Sequence, residues 1–209
     1  MISSDPLPLF QRAIQLLQKG DPAVAAVLPQ LERFPDFGAG WLALGEFLHR
    51  AGKHDAAAVA LGRAARAQPA SAPAAHRLGQ CLIELGRRDA AIAAFAQAVR
   101  IDPAFAEAWY SLGLAQGDGG QHARAAEAYR AALHLRPGFH EAALNLGIAL
   151  QETGDLDGAM DAYATALRLR ADSFGRIAQA LTSGRTGILW LDPQELRRDL
   201  LGRDGAGAH

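Results

Sequence analysis

Most of the chain carries apolar residues at the three- to four-residue spacing of amphipathic helices, interrupted at regular intervals by glycine and proline. In residues 41–69, one helical run ends at a break around Gly52 and a second run ends at Pro69. The arrangement returns every 34 residues with identical residues at several places. These residues are Leu44, Leu78, Leu112 and Leu146; Gly45, Gly79, Gly113 and Gly147; Ala57, Ala91, Ala125 and Ala159; Ala64, Ala98, Ala132 and Ala166; and Pro35, Pro69, Pro103 and Pro137. The pattern predicts an all-α chain of tandem helical hairpins.

Each period has a physical interpretation as two antiparallel helices. A glycine at the break can adopt the left-handed conformation that ends a helix, which we expect at Gly52, Gly86, Gly120 and Gly154. Small residues such as Gly45 and Ala57 allow the two helices to approach closely, and large residues such as Trp41 fill the space beside them. Trp109 lies two periods after Trp41, so we expect both tryptophans to be packing residues. Because one hairpin cannot bury its apolar face alone, the hairpins should stack.

On these residues the chain resembles the tetratricopeptide repeat family of bacterial type. The resemblance implies a right-handed α-solenoid of antiparallel helix hairpins, with four repeats at 38–71, 72–105, 106–139 and 140–171. Residues 1–37 fit the frame poorly, as a degenerate repeat or simply an N-terminal helical pair. Residues 172–209 are expected to form a capping helix, a short apolar extended segment, a final helix and a flexible end.

The resemblance also implies a binding surface, because in this family the first helix of each hairpin lines a concave groove for a protein or peptide partner. The corresponding residues here are Glu46, Arg50, His76, Arg77, Gln80, Glu107, Tyr110, Leu114, Glu141, Leu144, Asn145 and Ile148. This mixed set suits an extended or helical peptide with an apolar anchor and flanking charges. Tyr110 is the favoured anchor, since aromatic residues dominate binding energies at interfaces.

Two known binding modes of the family fit poorly. Relatives that hold the acidic tails of heat-shock chaperones need Lys and Asn at two positions of their first helix, which here are Leu42 and Glu46 or, one repeat later, His76 and Gln80. Asn145 matches the asparagine with which some relatives bind peptide backbone. The other repeats lack it, so no asparagine ladder is expected.

Composition and motifs exclude several other function classes. The net charge of −1 and the absence of a long basic run argue against nucleic acid, and no apolar run reaches membrane-spanning length. The single Cys81 and an N-terminus without a signal-peptide pattern indicate a cytoplasmic protein. The histidines lack zinc-site spacing, and the calcium-like stretch 155–158 fails because its twelfth position is Ala166. We therefore expect no enzyme activity, no cofactor and no metal.

Three kinds of function remain open at the sequence level. The first is an adaptor or scaffold that binds partner proteins in the groove. The second is a non-catalytic recognition arm of a glycosyl- or sulfotransferase system. The third is a self-assembling scaffold.

The C-terminal stretch 185–200 stands apart from the repeats because Trp190 is out of register with the other tryptophans. A capping helix is expected first, with Phe174, Ile177, Ala178 and Leu181 on its apolar side. Asp192 and Pro193 then predict the start of a final helix. This tail could complete the cap, occupy its own groove or a neighbour's and so form a homo-oligomer, or expose Trp190 to a partner.

Overall fold

The computed structural model describes residues 5–183 and 192–203. The chain divides into two compact units, Met1–Pro103 and Ala104–His209, which are described separately below. Within the described ranges the regular structure is helical and no strand occurs. None of the helices in these ranges has the length and apolar character needed to cross a membrane.

Unit 1 contains six helices in its described residues. They are α1 (Leu7–Lys19), α2 (Val24–Leu31), α3 (Gly38–Arg50), α4 (His54–Ala67), α5 (Ala72–Glu84) and α6 (Arg88–Ile101). The described residues of unit 2 contribute α7 (Ala106–Asp118), α8 (His122–Leu135), α9 (His140–Thr153), α10 (Leu156–Leu169), a 3₁₀ turn (Ala171–Ser173), α11 (Phe174–Ser183) and α12 (Pro193–Gly202). The pairs α3–α4, α5–α6, α7–α8 and α9–α10 each pack as a hairpin. The division into residues 1–37, 38–171 and 172–209 stays a prediction.

Four of the turns between paired helices depend on a left-handed glycine, as the sequence predicts. Gly52, Gly86, Gly120 and Gly154 have φ values of 71°, 69°, 74° and 86°. Gly20, which the repeat pattern did not single out, ends α1 in the same way with φ 65°. Because a side chain at such φ values clashes with its own backbone, these turns require glycine.

The Leu-Gly glycines are needed for a different reason, which is the close approach of the second helix. A Cβ built on Gly147 would lie 2.4 Å from the ring of Tyr163, and one on Gly113 would lie 2.6 Å from Tyr129. In unit 1 the equivalent contacts are Gly45 with Leu61 and Gly79 with Phe95, each at 2.6 Å. Each glycine therefore forms the notch that receives a large side chain of its own hairpin.

The N-terminal helical pair completes the core of unit 1. Asp5 and Asp21 accept hydrogen bonds from backbone N–H groups two residues later, at 3.0 and 2.9 Å, which satisfies free donors at the two helix starts. The α2 helix contains Pro29 and ends two residues after it, since a proline inside a helix removes a backbone hydrogen bond and clashes with the preceding turn. Phe10 of α1 is buried and packs edge-on against Trp41 at 5.1 Å.

The two repeat tryptophans differ in their burial. Trp41 is 4% exposed, and its Nε1 donates to the Phe34 carbonyl at 2.9 Å. Trp109 is only partly buried. The prediction that both are packing residues is confirmed for Trp41 and stays a prediction for Trp109.

The described C-terminal helices cover the core of unit 2. Ile177 and Leu181 of α11 and Leu196 and Leu200 of α12 all belong to its buried apolar cluster. Arg203, just after α12, binds Asp161 of α10 at 2.9 Å and holds the helix end in place. The described residues of the tail thus pack against the core of unit 2. The apolar stretch with Trp190 lies outside the described residues, so its three alternatives stay predictions.

Candidate partner-binding surfaces

The first helices of unit 1, α3 and α5, present a polar surface formed by Glu46, Arg50, Arg77 and Gln80, here called the unit 1 face. Arg77 joins the two helices, since its Nε donates to Glu46 Oε1 at 3.0 Å and its Nη1 donates to Gln80 Oε1 at 3.0 Å. A shallow cavity of about 110 Å³ lies beside Glu46, Arg50 and Arg77 and is also lined by His49 and Leu61. The polar groups of this face therefore satisfy one another to a large extent.

A histidine pair lies behind the unit 1 face. The rings of His49 and His54 are 5.3 Å apart and meet edge to face. Burial lowers the pKa of His49, and repulsion by a charged His54 would lower it further. The buried Cys81 thiol donates to the His54 carbonyl at 3.0 Å, and burial raises its pKa, which keeps it in the unreactive thiol form.

The first helices of unit 2, α7 and α9, present a less polar surface formed by Tyr110, Leu114, Asn145 and Ile148, here called the unit 2 face. Asn145 Nδ2 donates to the Tyr110 hydroxyl at 3.2 Å, which joins the two helices. Leu114 and Ile148, one helical turn further on, are each 37% exposed. The face thus combines a polar pair with exposed aliphatic side chains.

Tyr110 is fixed by the side chains around it. Its ring lies 4.7 Å from the Phe139 ring and 5.9 Å from the Tyr129 ring. Partial burial raises the pKa of Tyr110, and the nearby Glu141 carboxylate raises it further. The hydroxyl therefore stays protonated at neutral pH and can donate a hydrogen bond.

Ion pairs border the unit 2 face. Arg136 binds the Glu107 carboxylate directly, and its guanidinium also stacks on the Phe139 ring at 4.6 Å. Arg170 approaches the Glu141 carboxylate at 3.7 Å. Phe139 and both arginines lie outside the first helices, so counting positions along those helices does not find them. Arg136 and Arg170 are 34 residues apart, and so are Glu107 and Glu141. This shared spacing could have revealed the two arginines.

Two of the predicted groove residues are buried instead. His76 is 6% exposed and packs against Phe95, and Leu144 is 1% exposed within the core of unit 2. Both occupy the same repeat position as the partly buried Tyr110, which shows that this position points largely into the hairpin packing. The prediction that they line a surface was wrong. The other ten residues are exposed or partly exposed.

One histidine–serine pair has the residue types of a hydrolase site. His140 Nε2 lies 2.5 Å from Ser173 Oγ, and both residues are buried. The Ser173 hydroxyl donates its single proton to the Arg170 carbonyl at 2.6 Å, so His140 must donate to Ser173. The pair thus ties α9 to the 3₁₀ turn. In the described ranges, no cluster of three His, Cys, Asp or Glu residues could hold a metal ion.

A family model described as tetratricopeptide repeat matches residues 10–73, 76–138 and 114–175. The chain belongs to the tetratricopeptide repeat family. The all-α fold of helix hairpins and the resemblance inferred from the sequence are therefore confirmed. Members of this family are generally non-catalytic scaffolds for protein–protein interaction.

Solved structures of the same fold support this assignment. The crystal structure of MamA is 28% identical over 77% of this chain and 95% of that chain, with a TM-score of 0.67. YrrB, described as a TPR protein with an unusual peptide-binding site, is 19% identical over 80% of this chain and 88% of that chain, with a TM-score of 0.67. MamA from Desulfovibrio magneticus RS-1, from residue 41 to its end, is 21% identical over 82% of this chain and 98% of that chain, with a TM-score of 0.65. Curated protein sequences give no significant match.

Proposed function

We propose that this chain is a cytoplasmic scaffold without catalytic activity, which binds a peptide segment of a partner protein on the unit 2 face. The observation that carries the proposal is the hydrogen-bonded pair of Tyr110 and Asn145, with exposed Leu114 and Ile148 beside it. The single buried Cys81 supports a reducing compartment. Peptide binding also occurs in this fold, since YrrB is described as having a peptide-binding site.

The Tyr110–Asn145 pair has spare hydrogen-bonding capacity that suits a peptide group. When Asn145 Nδ2 donates to the Tyr110 hydroxyl, the hydroxyl hydrogen and Asn145 Oδ1 remain available. No group in the described parts of the chain takes up either of them. With the amide rotated, Asn145 Nδ2 and the Tyr110 oxygen remain instead. In either orientation, at least one donor and one acceptor remain for a partner, as a backbone C=O and N–H require.

Rigidity adds to the suitability of this face. Tyr110 is held between Phe139 and Tyr129, so little side-chain freedom is lost when a partner binds. Leu114 and Ile148 offer apolar area in the same region of the two helices. A partner segment can therefore place an apolar side chain on the aliphatic pair and a backbone amide on Tyr110 and Asn145.

The test is selection of a random-sequence peptide library on the purified chain, followed by affinity measurements on the selected peptides by fluorescence polarisation. We expect Tyr110→Ala to weaken binding about tenfold or more, as at an interface hot spot. Tyr110→Phe preserves the packing and removes only the hydroxyl, so it should weaken binding by less, about three- to tenfold for one hydrogen bond.

Two variants that each replace an exposed aliphatic residue with serine test whether peptide binding depends on this face. Ile148→Ser should weaken peptide binding, whereas Val59→Ser, at a 58% exposed position on α4, should not. If library selection enriches no peptide, or if both tyrosine variants bind as wild type does, the proposal is wrong.

A further inference from the structure

The first helices of unit 2 carry a one-sided set of charges. The α7 and α9 helices contain Glu107, Asp118, Glu141 and Glu152 and no lysine or arginine. In unit 1, by contrast, α3 and α5 contain both Arg50 and Arg77 and both Glu46 and Glu84. Lysine and arginine side chains therefore reach the unit 2 face from segments outside these two helices. The charge of the face depends on how well each carboxylate is paired with one of these basic groups.

Glu107 and Glu141, the two glutamates nearest to Tyr110 and Asn145, differ in how closely an arginine pairs with them. Glu107 is bound directly by Arg136, which is itself fixed on the Phe139 ring. Within the described ranges, Glu141 has only long ion-pair contacts, because Arg170 is 3.7 Å away and lies closer to Asp172, at 3.4 Å. The Glu141 side chain is 48% exposed. Of these two glutamates, Glu141 is therefore the one that would gain more from a new cation.

Glu141 also acts at the centre of the face. Its carboxylate influences the Tyr110 hydroxyl more strongly than the opposing Arg176 of α11 does. His140, its neighbour on α9, has Nδ1 3.8 Å from the Glu141 carboxylate, which is a long contact like that of Arg170. The exposed Glu141 carboxylate thus lies close enough to Tyr110 to act on its hydroxyl, and a negative charge at this place favours a positive group on whatever binds there.

We infer that the partner segment of the unit 2 face is a basic–apolar peptide, in which a lysine or arginine pairs with Glu141 beside an apolar residue packed on Leu114 and Ile148. This inference rests on the proposed function and adds the chemistry of the partner. The cation replaces the long Glu141–Arg170 contact and leaves Arg170 to Asp172. The apolar residue covers side chains that are otherwise exposed.

The experiment uses the same random-sequence peptide library on the full chain and reads the sequences it enriches. We expect lysine or arginine to be enriched near an apolar residue and acidic residues to be depleted. Glu141→Gln should weaken the best basic peptide about two- to fivefold, the effect of one exposed ion pair. It should leave a peptide with glutamine in place of the basic residue unchanged.

Glu127→Gln is the matched control, because Glu127 is exposed on α8 and the variant removes the same charge away from the face. Salt should weaken the basic peptide more for wild type than for Glu141→Gln. Enriched peptides that need Tyr110 but lack basic residues would overturn this inference and leave the proposed function standing. Failure to enrich any peptide that depends on Tyr110 would overturn both.

Discussion

Replacing Gly147 with alanine tests the close packing on which each hairpin depends. The added methyl group would lie 2.4 and 2.5 Å from two ring carbons of Tyr163, far inside normal contact distance. Tyr163 is fully buried, and its hydroxyl donates to Gln151 Oε1 at 2.9 Å. The ring therefore cannot move aside without disturbing its own packing and this hydrogen bond.

Three free-energy terms decide the outcome. Alanine is favoured over glycine inside a helix by about 1 kcal/mol. Overpacking of a core costs about 1–3 kcal/mol. Displacement of the Tyr163 hydroxyl from Gln151 costs about 1 kcal/mol more. We expect Gly147→Ala to lower the free energy of unfolding by about 1–3 kcal/mol, the opposite sign to helix propensity alone.

Urea unfolding followed by circular dichroism measures this change. Two further glycine variants serve as a control and as a second test. Gly117→Ala, on α7 of the same unit, adds a methyl group 3.8 Å from its nearest neighbours, so it should be neutral or slightly stabilising. Gly113→Ala meets Tyr129 at 2.6 Å and should be as destabilising as Gly147→Ala. Gly117→Ala reports the effect of helix propensity without a clash. If Gly147→Ala is as stable as wild type and Gly117→Ala is no more stable than wild type, then Gly147 is not needed to make room for Tyr163.

Three other predictions concern the turns, the cap and the buried tyrosine. Gly120→Ala, at φ 74°, should cost about 1–2 kcal/mol in thermal or urea unfolding, whereas Gly119→Ala, at φ −87°, should be close to neutral. Leu200→Ala should lower the unfolding free energy by about 2–5 kcal/mol, because the side chain is fully buried. Leu201→Ala, at a 53% exposed position, should change it by less than about 0.5 kcal/mol; equal effects would contradict the docking of α12. Burial raises the pKa of Tyr163 above its ordinary value of about 10, so the folded state keeps a proton that the unfolded state loses, and stability should fall as pH rises above about 10. Tyr163→Phe should reduce this alkaline slope in pH-dependent urea unfolding, and an unchanged slope would assign the loss to other groups.

The partner-binding surface shows the limits of periodicity. Counting along the repeats placed Tyr110 and Asn145 on exposed parts of neighbouring first helices, and the structure joins them by a hydrogen bond. The same counting placed His76 and Leu144 on the surface, although both are buried. A repeat position defines a direction relative to one hairpin. At the position shared by His76, Tyr110 and Leu144 that direction leads into the packing of the hairpin, where His76 meets Phe95 and Tyr110 meets Tyr129.

The sequence by itself determined the hairpin architecture, because helix periodicity, left-handed glycines and small residues at contact positions act locally or within one 34-residue unit. It also determined the family. Only the tertiary structure decided which glutamate keeps an incomplete ion pair, since Arg136 and Arg170 enter from segments that precede the next hairpin or the cap. It likewise decided that α12 returns to α10, where Arg203 meets Asp161, because that contact joins residues 42 positions apart. Which of these pairings form closely depends on the distances between side chains in the folded unit, and the 34-residue spacing alone does not give those distances.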